Sequence, residues 1–319
     1  MTAFLERALE LAERGRGKTR PNPIVGAVVV RDNVVVGEGW HERPGLPHAE
    51  RIALDAAGED ARGATLYTTL EPCAHQGRTG PCTEAILAAG VARVVAAAGD
   101  PNPVVDGKGL AALADAGVDV ELADEEIATR ARRQNEAYRT WISLGRPFVT
   151  YKAATTLDGR VTVPGFRWIT GEASRRRVHE LRAAADAVAV GMGTVRADNP
   201  RLDARGVEAE CQPRRLAFGR GPLPAGSELE LRSGPLEDEL RRLAGEGVQS
   251  LLLEGGPTLA TACLEADLVD KLLLFIASRI SGQGPRFLGD LAKPVLIHEL
   301  AAEQVDEDLL VTAYLHESR

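Results

Sequence analysis

Long apolar runs are missing from this 319-residue chain. None reaches the ~18 residues that a membrane-spanning helix needs, so no membrane partner is expected. Cysteine is scarce: four residues are too few and too scattered for a disulfide framework, which fits a reducing, cytoplasmic setting. Positive charge is in deficit, with 38 Lys and Arg against 46 Asp and Glu and a net charge of −8. Residues 1–145 already carry 16 basic against 21 acidic side chains. Nucleic-acid binders present a basic stripe, so a polynucleotide substrate is disfavoured, while a small anionic substrate stays within reach of a few local arginines. The segment Met1–Arg7 mixes in acidic residues and offers no cleavage site, so no signal peptide is expected.

The length suits two domains, and 44% hydrophobic with 26% charged residues is an ordinary globular composition. Periodicity predicts helix over residues 2–14, a strand at 24–30 turning through 31–33 into a return strand at 34–36, and helix at 48–57. A strand at 64–69, helix at 81–89 stopped by Gly90, strand at 91–98, helix at 107–116, strand at 118–122 and a closing helix at 124–144 follow. This order implies one sheet with helices on both faces. Gly145-Arg146-Pro147 breaks the pattern, placing the boundary between a domain of residues 1–145 and one of residues 146–319. In the second, strands are predicted at 148–155, 186–190, 214–218, 249–253, 271–277, 294–298 and 309–315, with helices at 173–182, 236–245 and 257–266.

The strongest chemical signal is His48-Ala49-Glu50 followed by Glu71-Pro72-Cys73 and Cys82. One imidazole and two thiolates make three zinc ligands and leave a fourth tetrahedral position for water, the pattern of a catalytic site. Glu50, beside such a water, is placed to take its proton and pass it to a leaving amine; H-x-E…P-C is the arrangement of zinc-dependent nucleobase deaminases, with Glu as acid/base and not as ligand. A structural zinc would need a fourth ligand, which His75 could supply.

Eight residues separate the two cysteines, where many deaminases have two. The stretch Glu71 to Cys82 resembles the bifunctional riboflavin-biosynthesis deaminase/reductase family. Pro21-Asn22-Pro23, Gly37-Glu38-Gly39-Trp40-His41, Asp100-Pro101-Asn102-Pro103, Leu157-Asp158-Gly159-Arg160, Trp168-Ile169-Thr170 and Glu254-Gly255-Gly256-Pro257-Thr258 carry the resemblance across the whole chain. It implies a cytidine-deaminase-like three-layer α/β/α domain followed by a dihydrofolate-reductase-like α/β domain. The first would deaminate 2,5-diamino-6-(5-phosphoribosylamino)pyrimidin-4-one and the second, using NADPH, would reduce the ribosyl to the ribityl side chain. The resemblance places Asn22, His41, His75, Arg78, Asp100 and Asn102 around the deaminase substrate, with Arg78 on its phosphate; the Asp-Pro-Asn-Pro run reads equally as turn chemistry. It also implies a homo-oligomer, a dimer or tetramer.

From the residues alone the second half says less. Gly191-Met192-Gly193 lacks the third glycine of a dinucleotide fingerprint. Glu254–Thr258 follows an apolar strand and opens a helix at Pro257, a turn that turns backbone N–H groups toward a pyrophosphate or is a plain strand-to-helix connection. The resemblance assigns Ala154, Trp168, Thr194, Asp198, Gly255, Gly256, Pro257 and Thr258 to the nucleotide, and Arg182, Leu202, Arg205 and Glu254 to the substrate. Lys152 and Asp158 sit in its first-strand motif without a role. The chain departs from the family in having Ala154 where some relatives have Gly, a short Val163–Arg167 loop, and a shortened stretch from Ala217 to Gln249. Two alternatives therefore stand: NADH in place of NADPH, and a deaminase whose second half only binds ligand or assembles subunits.

Overall fold

A computed structural model of the chain describes residues 2–76 and 80–317, in two compact units, one ending at Leu144 and one spanning Gly145–Glu317. The apolar run after Pro23 organises the first. In β1 (Gly26–Arg31), Ala27 and Val29 enter a core formed with α2 (Ala49–Ala57), α3 (Cys82–Ala89) and α4 (Lys108–Asp115). Val28 and Val30 enter a second core with α1 (Thr2–Glu13) and α5 (Glu125–Gln134). Successive strand side chains point to opposite faces, so a strand apolar at every position needs cover on both sides. The sheet adds β2 (Val34–Trp40), β3 (Thr65–Thr68), β4 (Arg93–Ala96) and β5 (Asp119–Leu122) in the order β2-β1-β3-β4-β5. β1 is antiparallel to β2 and β3, and β3, β4 and β5 run parallel. This is the three-layer arrangement expected.

Two elements differ from expectation. β2 continues past Val36 to Trp40. Cβ atoms on Gly37 and Gly39 would lie 2.2 Å from the Ala53 oxygen and 2.4 Å from the Ala49 oxygen. The glycines thus mark where α2 presses on the strand, and the strand delivers His41 to the site. The closing helix is two helices, α5 and α6 (Glu136–Leu144), broken at Asn135. The buried Asn135 amide turns away to bond Ile24, accepting from its N–H at 2.9 Å and donating to its carbonyl at 2.8 Å, a competition with helical bonding typical of Asn.

The second unit has eight strands: β6 (Phe148–Thr156), β7 (Ala187–Gly191), β8 (Arg214–Phe218), β9 (Glu230–Arg232), β10 (Ser250–Leu253), β11 (Lys271–Ala277), β12 (Glu299–Val305) and β13 (Asp308–Tyr314), ordered β12-β13-β11-β6-β10-β7-β8-β9. All run parallel from β11 to β9; β13 and β12 are antiparallel additions. Helices α9 (Leu236–Gly245) and α10 (Pro257–Glu265) cover one face through Leu240, Leu243 and Ala260. Helices α7 (Glu172–Ala184) and α8 (Met192–Asp198) bury Val178 and Val195 in clusters of their own. Helix α8 and strand β9 escape sequence reading because they are too short to show a period. The strand expected at 294–298 lies instead at Glu299–Val305. Pro294 cannot donate to a ladder, and β12 is a solvent-exposed edge without apolar alternation.

Gly145-Arg146-Pro147 is more than a breaker. The Arg146 guanidinium is buried and donates to both Asp270 carboxylate oxygens at 2.7 and 2.8 Å, and Asp270 also accepts from the Val149 N–H at 2.8 Å. The pair fixes the start of the central strand β6. Replacing Arg146 by Ala strands a buried carboxylate, and we expect a loss of roughly 3 kcal/mol for the second unit, read as a lower denaturant midpoint at unchanged m-value.

Candidate metal centre and active sites

The local folds around β1 and β3 bring three ligating atoms together. His48 precedes α2 in extended conformation, Cys73 follows β3, and Cys82 is the first residue of α3. The His48 Nδ1 lies 3.3 Å from Cys82 Sγ and 3.6 Å from Cys73 Sγ, and the three ligand atoms all fall within 4.8 Å of one another. Zinc bonds of roughly 2.1 Å to nitrogen and 2.3 Å to sulfur place tetrahedral N and S ligands about 3.6 Å apart, so the donor set fits zinc. His75 is outside this group among the described residues, which leaves a three-ligand centre with an open corner. The Cys82 N–H donates to Cys73 Sγ at 3.4 Å. Hydrogen bonds from the Cys82 thiol and His48 outweigh burial and hold Cys73 down at about 4, while Cys82 is pushed up by the same contact.

Glu50 is 3% exposed, and its Oε2 is buried without a hydrogen-bond partner. Burial pushes its carboxyl up to about 7, the range in which a group can both accept and donate protons. A cavity of about 450 Å³ is lined by His48, Glu50 and Cys73 and by five of the predicted substrate residues: Asn22, His41, His75, Asp100 and Asn102. Arg78, the sixth, lies outside the described residues. The buried His41 donates from Nδ1 to the Pro47 carbonyl at 3.2 Å, because that oxygen can only accept. Its Nε2 then accepts from the Asn22 Nδ2 at 3.0 Å, and burial lowers its pKa, favouring this neutral form. The His75 Nδ1 is buried without a partner.

Asp100 and Asn102 combine both readings of their motif. The Asn102 N–H donates to Asp100 Oδ1 at 2.9 Å and the Val104 N–H to Asn102 Oδ1 at 3.1 Å, which is turn chemistry, yet both side chains also line the cavity. Sequence reading missed Tyr138, Trp141 and Ile142, which reach the cavity from α6. The Tyr138 hydroxyl donates to the Asp100 carboxylate at 3.0 Å. The closing helix reads as polar and charged in sequence, and nothing there marked a face turned to a cavity.

In the second unit the predicted residues fall into groups. Glu254, at the end of β10, accepts from Arg182 Nε at 2.6 Å and Nη2 at 3.0 Å, and from Lys152 Nζ at 3.4 Å. Arg182 also donates to the Asp203 carbonyl at 3.2 Å, and Arg205 to the Asp203 carboxylate at 2.5 Å. Leu202 between them is buried with φ +55°, a conformation that costs a branched side chain about 1 kcal/mol or more. Gly255, Gly256, Pro257 and Thr258 form the turn into α10. Because β7 and β10 pair in parallel, this turn neighbours the start of α8, which carries Thr194: a Cβ on Gly256 would sit 3.4 Å from the Thr194 hydroxyl. Side-chain-free backbone at a helix N-terminus, next to a second strand-end turn, suits a pyrophosphate. Ala154 lies in β6 opposite Phe275, and Asp198 is exposed at the end of α8. Trp168 is half exposed, with Arg167 and Arg175 guanidinium groups 5.0 and 5.4 Å from its ring, in a separate groove of about 440 Å³. Asp158 accepts from the Thr156 hydroxyl at 2.6 Å and from the Ser281 and Gly282 N–H groups at 3.0 and 2.8 Å, tying the loop after β6 to the loop after β11.

A deaminase zinc site followed by a parallel-sheet domain with a nucleotide-type turn defines a two-activity enzyme, and similarity to known proteins gives the same division. Residues 1–98 match the cytidine and deoxycytidylate deaminase zinc-binding region, and residues 147–224 and 228–311 match the RibD C-terminal domain. The riboflavin biosynthesis protein RibD of Aquifex aeolicus is 40% identical over 348 aligned positions, covering 97% of this chain and 96% of that protein. RibD of Escherichia coli is 38% identical, covering 89% of each. Among solved structures, Acinetobacter baumannii RibD aligns with a TM-score of 0.87 at 36% identity over 98% of both chains. The diaminohydroxyphosphoribosylaminopyrimidine deaminase/5-amino-6-(5-phosphoribosylamino)uracil reductase of Thermotoga maritima aligns at 0.86 and 35%, covering 98% of this chain. The chain belongs to the RibD family of riboflavin-biosynthesis proteins.

Burial alone would push Glu254 up, but Lys152 and Arg182 outweigh it and hold the carboxyl at about 2, below its ordinary 4.5. A depressed carboxylate contributes stability that is complete above its unfolded pKa and fades as pH falls toward its folded one. The second unit should therefore lose this contribution between about pH 4.5 and 2. Replacing Lys152 by Met should move the onset of acid unfolding to higher pH, measured by circular dichroism on acid titration.

Proposed function

We propose that the first unit hydrolyses the 2-amino group of 2,5-diamino-6-(5-phosphoribosylamino)pyrimidin-4-one, and that the second reduces the ribosyl side chain of the resulting uracil to ribityl with NADPH. The observation that carries the first half is Glu50: a buried carboxylate with an unpartnered oxygen, in the same cavity as a three-ligand zinc centre. His48, Cys73 and Cys82 would hold a zinc ion, which would supply the charge that acidifies a nucleophilic water. Glu50 Oε2 accepts the proton of the attacking water as the water oxygen bonds to the amidine-like carbon, and returns it to the departing nitrogen. One water is consumed, one C–N bond is exchanged for C–O, and ammonia leaves. His41 fixes the Asn22 amide so that its carbonyl oxygen is left to accept from the pyrimidine. His75, Asp100 and Asn102 complete the pyrimidine and ribose contacts, and Arg78 is assigned to the phosphate.

For the second half, NADPH supplies the hydride. We assign its contacts to Ala154, Trp168, Thr194, Asp198 and the Gly255–Thr258 turn, and the substrate's to Arg182, Leu202, Arg205 and Glu254. Glu254, just past β10, holds Lys152 of β6 and Arg182 of α7, so any cation facing substrate there is already oriented. The domain limits 1–145 and 146–319, a cytoplasmic location and assembly as a homo-oligomer of two or four chains belong to the same proposal. The family match of the second unit argues against a deaminase with an inert partner domain.

Purified, zinc-loaded protein given the diaminopyrimidine phosphate should release one ammonia and then oxidise one NADPH per substrate, followed by mass and by absorbance. Ammonia release without NADPH oxidation would refute the reductase half. Glu50→Gln should lower kcat for deamination by about 10² to 10⁴, the usual share of a general acid–base, while metal analysis still finds zinc. Loss of the metal in that variant would show that Glu50 is not the proton carrier.

A further inference from the structure

Glu71 takes no part in the chemistry above, yet it is among the most heavily bonded side chains of the first unit. It is 4% exposed. Its Oε2 accepts from the N–H groups of Asp100 at 3.3 Å and Gly107 at 2.9 Å, and its Oε1 from those of Gly109 at 2.9 Å and Leu110 at 3.3 Å. All four donors lie between the end of β4 and the first turn of α4, where backbone N–H groups have no helical partner. A carboxylate there satisfies them and complements the helix dipole. The contact is also steric: a Cβ on Gly109 would stand 1.8 Å from the Pro72 carbonyl oxygen. Glycine at 109 is what lets α4 rest on the segment that carries Cys73.

One buried charge thus joins two parts of the cavity wall that are distant in sequence. On one side is the Pro72-Cys73 turn with its metal ligand; on the other is the loop bearing Asp100 and Asn102. Glu71 itself lines the cavity, but both its oxygens are committed to backbone donors, so its hold on substrate runs through the loop and turn it joins. We propose that Glu71 is a positioning residue of the deaminase, setting the loop of Asp100 and Asn102 against the zinc-bearing turn and so governing substrate binding more than turnover. The proposal rests on the deaminase reading above.

Glu71→Gln replaces one acceptor oxygen by an amide that faces two N–H groups. It should raise KM for the diaminopyrimidine phosphate by at least about tenfold, the lower end of what loss of a supporting partner costs, with kcat within about twofold and one zinc per chain. Placed in the Glu50→Gln background, which binds without turning over, it should raise the calorimetric Kd by the same factor. Asp100→Asn alone should also raise KM, and the double variant Glu71→Gln/Asp100→Asn should be no worse than the poorer single, as coupled residues require. Because Glu71 is buried, Glu71→Asp is the companion: it keeps the charge and both acceptors and should recover part of the KM lost with Gln. The assignment is overturned if Gln leaves KM and Kd within about twofold of the parent, if the two single effects multiply as for independent sites, or if Asp and Gln are equally poor or both lose zinc. Ammonia release by the unaltered protein tests the deaminase reading separately, before any variant is compared.

Discussion

A carboxylate taken out of water must be met by donors or it keeps its proton, and the way this chain treats its buried carboxylates decides what each one does. Asp270 meets a guanidinium and a backbone N–H, and becomes an anchor for the central strand of the second unit. Glu254 meets an arginine and a lysine and stays ionised down to about pH 2, a fixed charge that arranges two cations. Glu71 meets four backbone N–H groups and joins a loop to a metal-bearing turn. Glu50 has one oxygen without a hydrogen-bond partner, and burial pushes its carboxyl up to about 7. The residue to which we assign the proton transfer is the one left uncompensated. Full satisfaction by neighbours would lower its proton affinity and remove its use as an acid.

The zinc centre shows the same logic with sulfur. Cys73 lies 3.6 Å from the His48 Nδ1 and accepts from the Cys82 N–H at 3.4 Å, contacts that lower its thiol pKa. Three ligands from the start of α2, the end of β3 and the start of α3 converge because β1 and β3 pair and α2 packs on the same sheet. The glycines at 37 and 39 allow that packing. Removing the close approach of α2 to β2 would move His48 and Glu50 together, since both ride on the first turn of that helix.

The zinc ligands and Glu50 were legible in the sequence because their residue types are rare and their spacing is specific to the chemistry. Most elements were legible from period: the strand at 214–218 and the helix at 236–245 fall where the pattern places them. What escaped was set by tertiary contact. Asn135 ends α5 only because Ile24 offers a backbone partner 111 residues away. Tyr138 and Trp141 are cavity walls only because α6 lies over the loop of Asp100. Glu71 stands in the zinc motif itself, but a motif reports that a carboxylate is present, not that four N–H groups from a distant loop converge on it. The edge strand β12, exposed along nearly its whole length, carries no apolar alternation for a periodicity to find.

The stretch from Ala217 to Gln249, expected to be short for the family, carries the edge strand of the second unit's sheet and helix α9. Between β8 and α9 the chain makes one three-residue strand, β9, held to its surroundings by ion pairs of Arg214 and Arg232 with Glu230 and Glu246. Exposed pairs of this kind each contribute about 1 kcal/mol or less, so this margin depends on their acting as a network. Of the groups assigned to substrate and cofactor, Glu254 and the glycine turn follow β10, Thr194 is in α8 just after β7, and Arg182 is on α7, while Leu202 packs with Ala217 and Leu229 beside the edge. These central strands are ordered by the Arg146–Asp270 anchor and by a continuous apolar core. In the sheet, β7 and β8 stand between this edge strand and β10, whose turn is assigned to the cofactor.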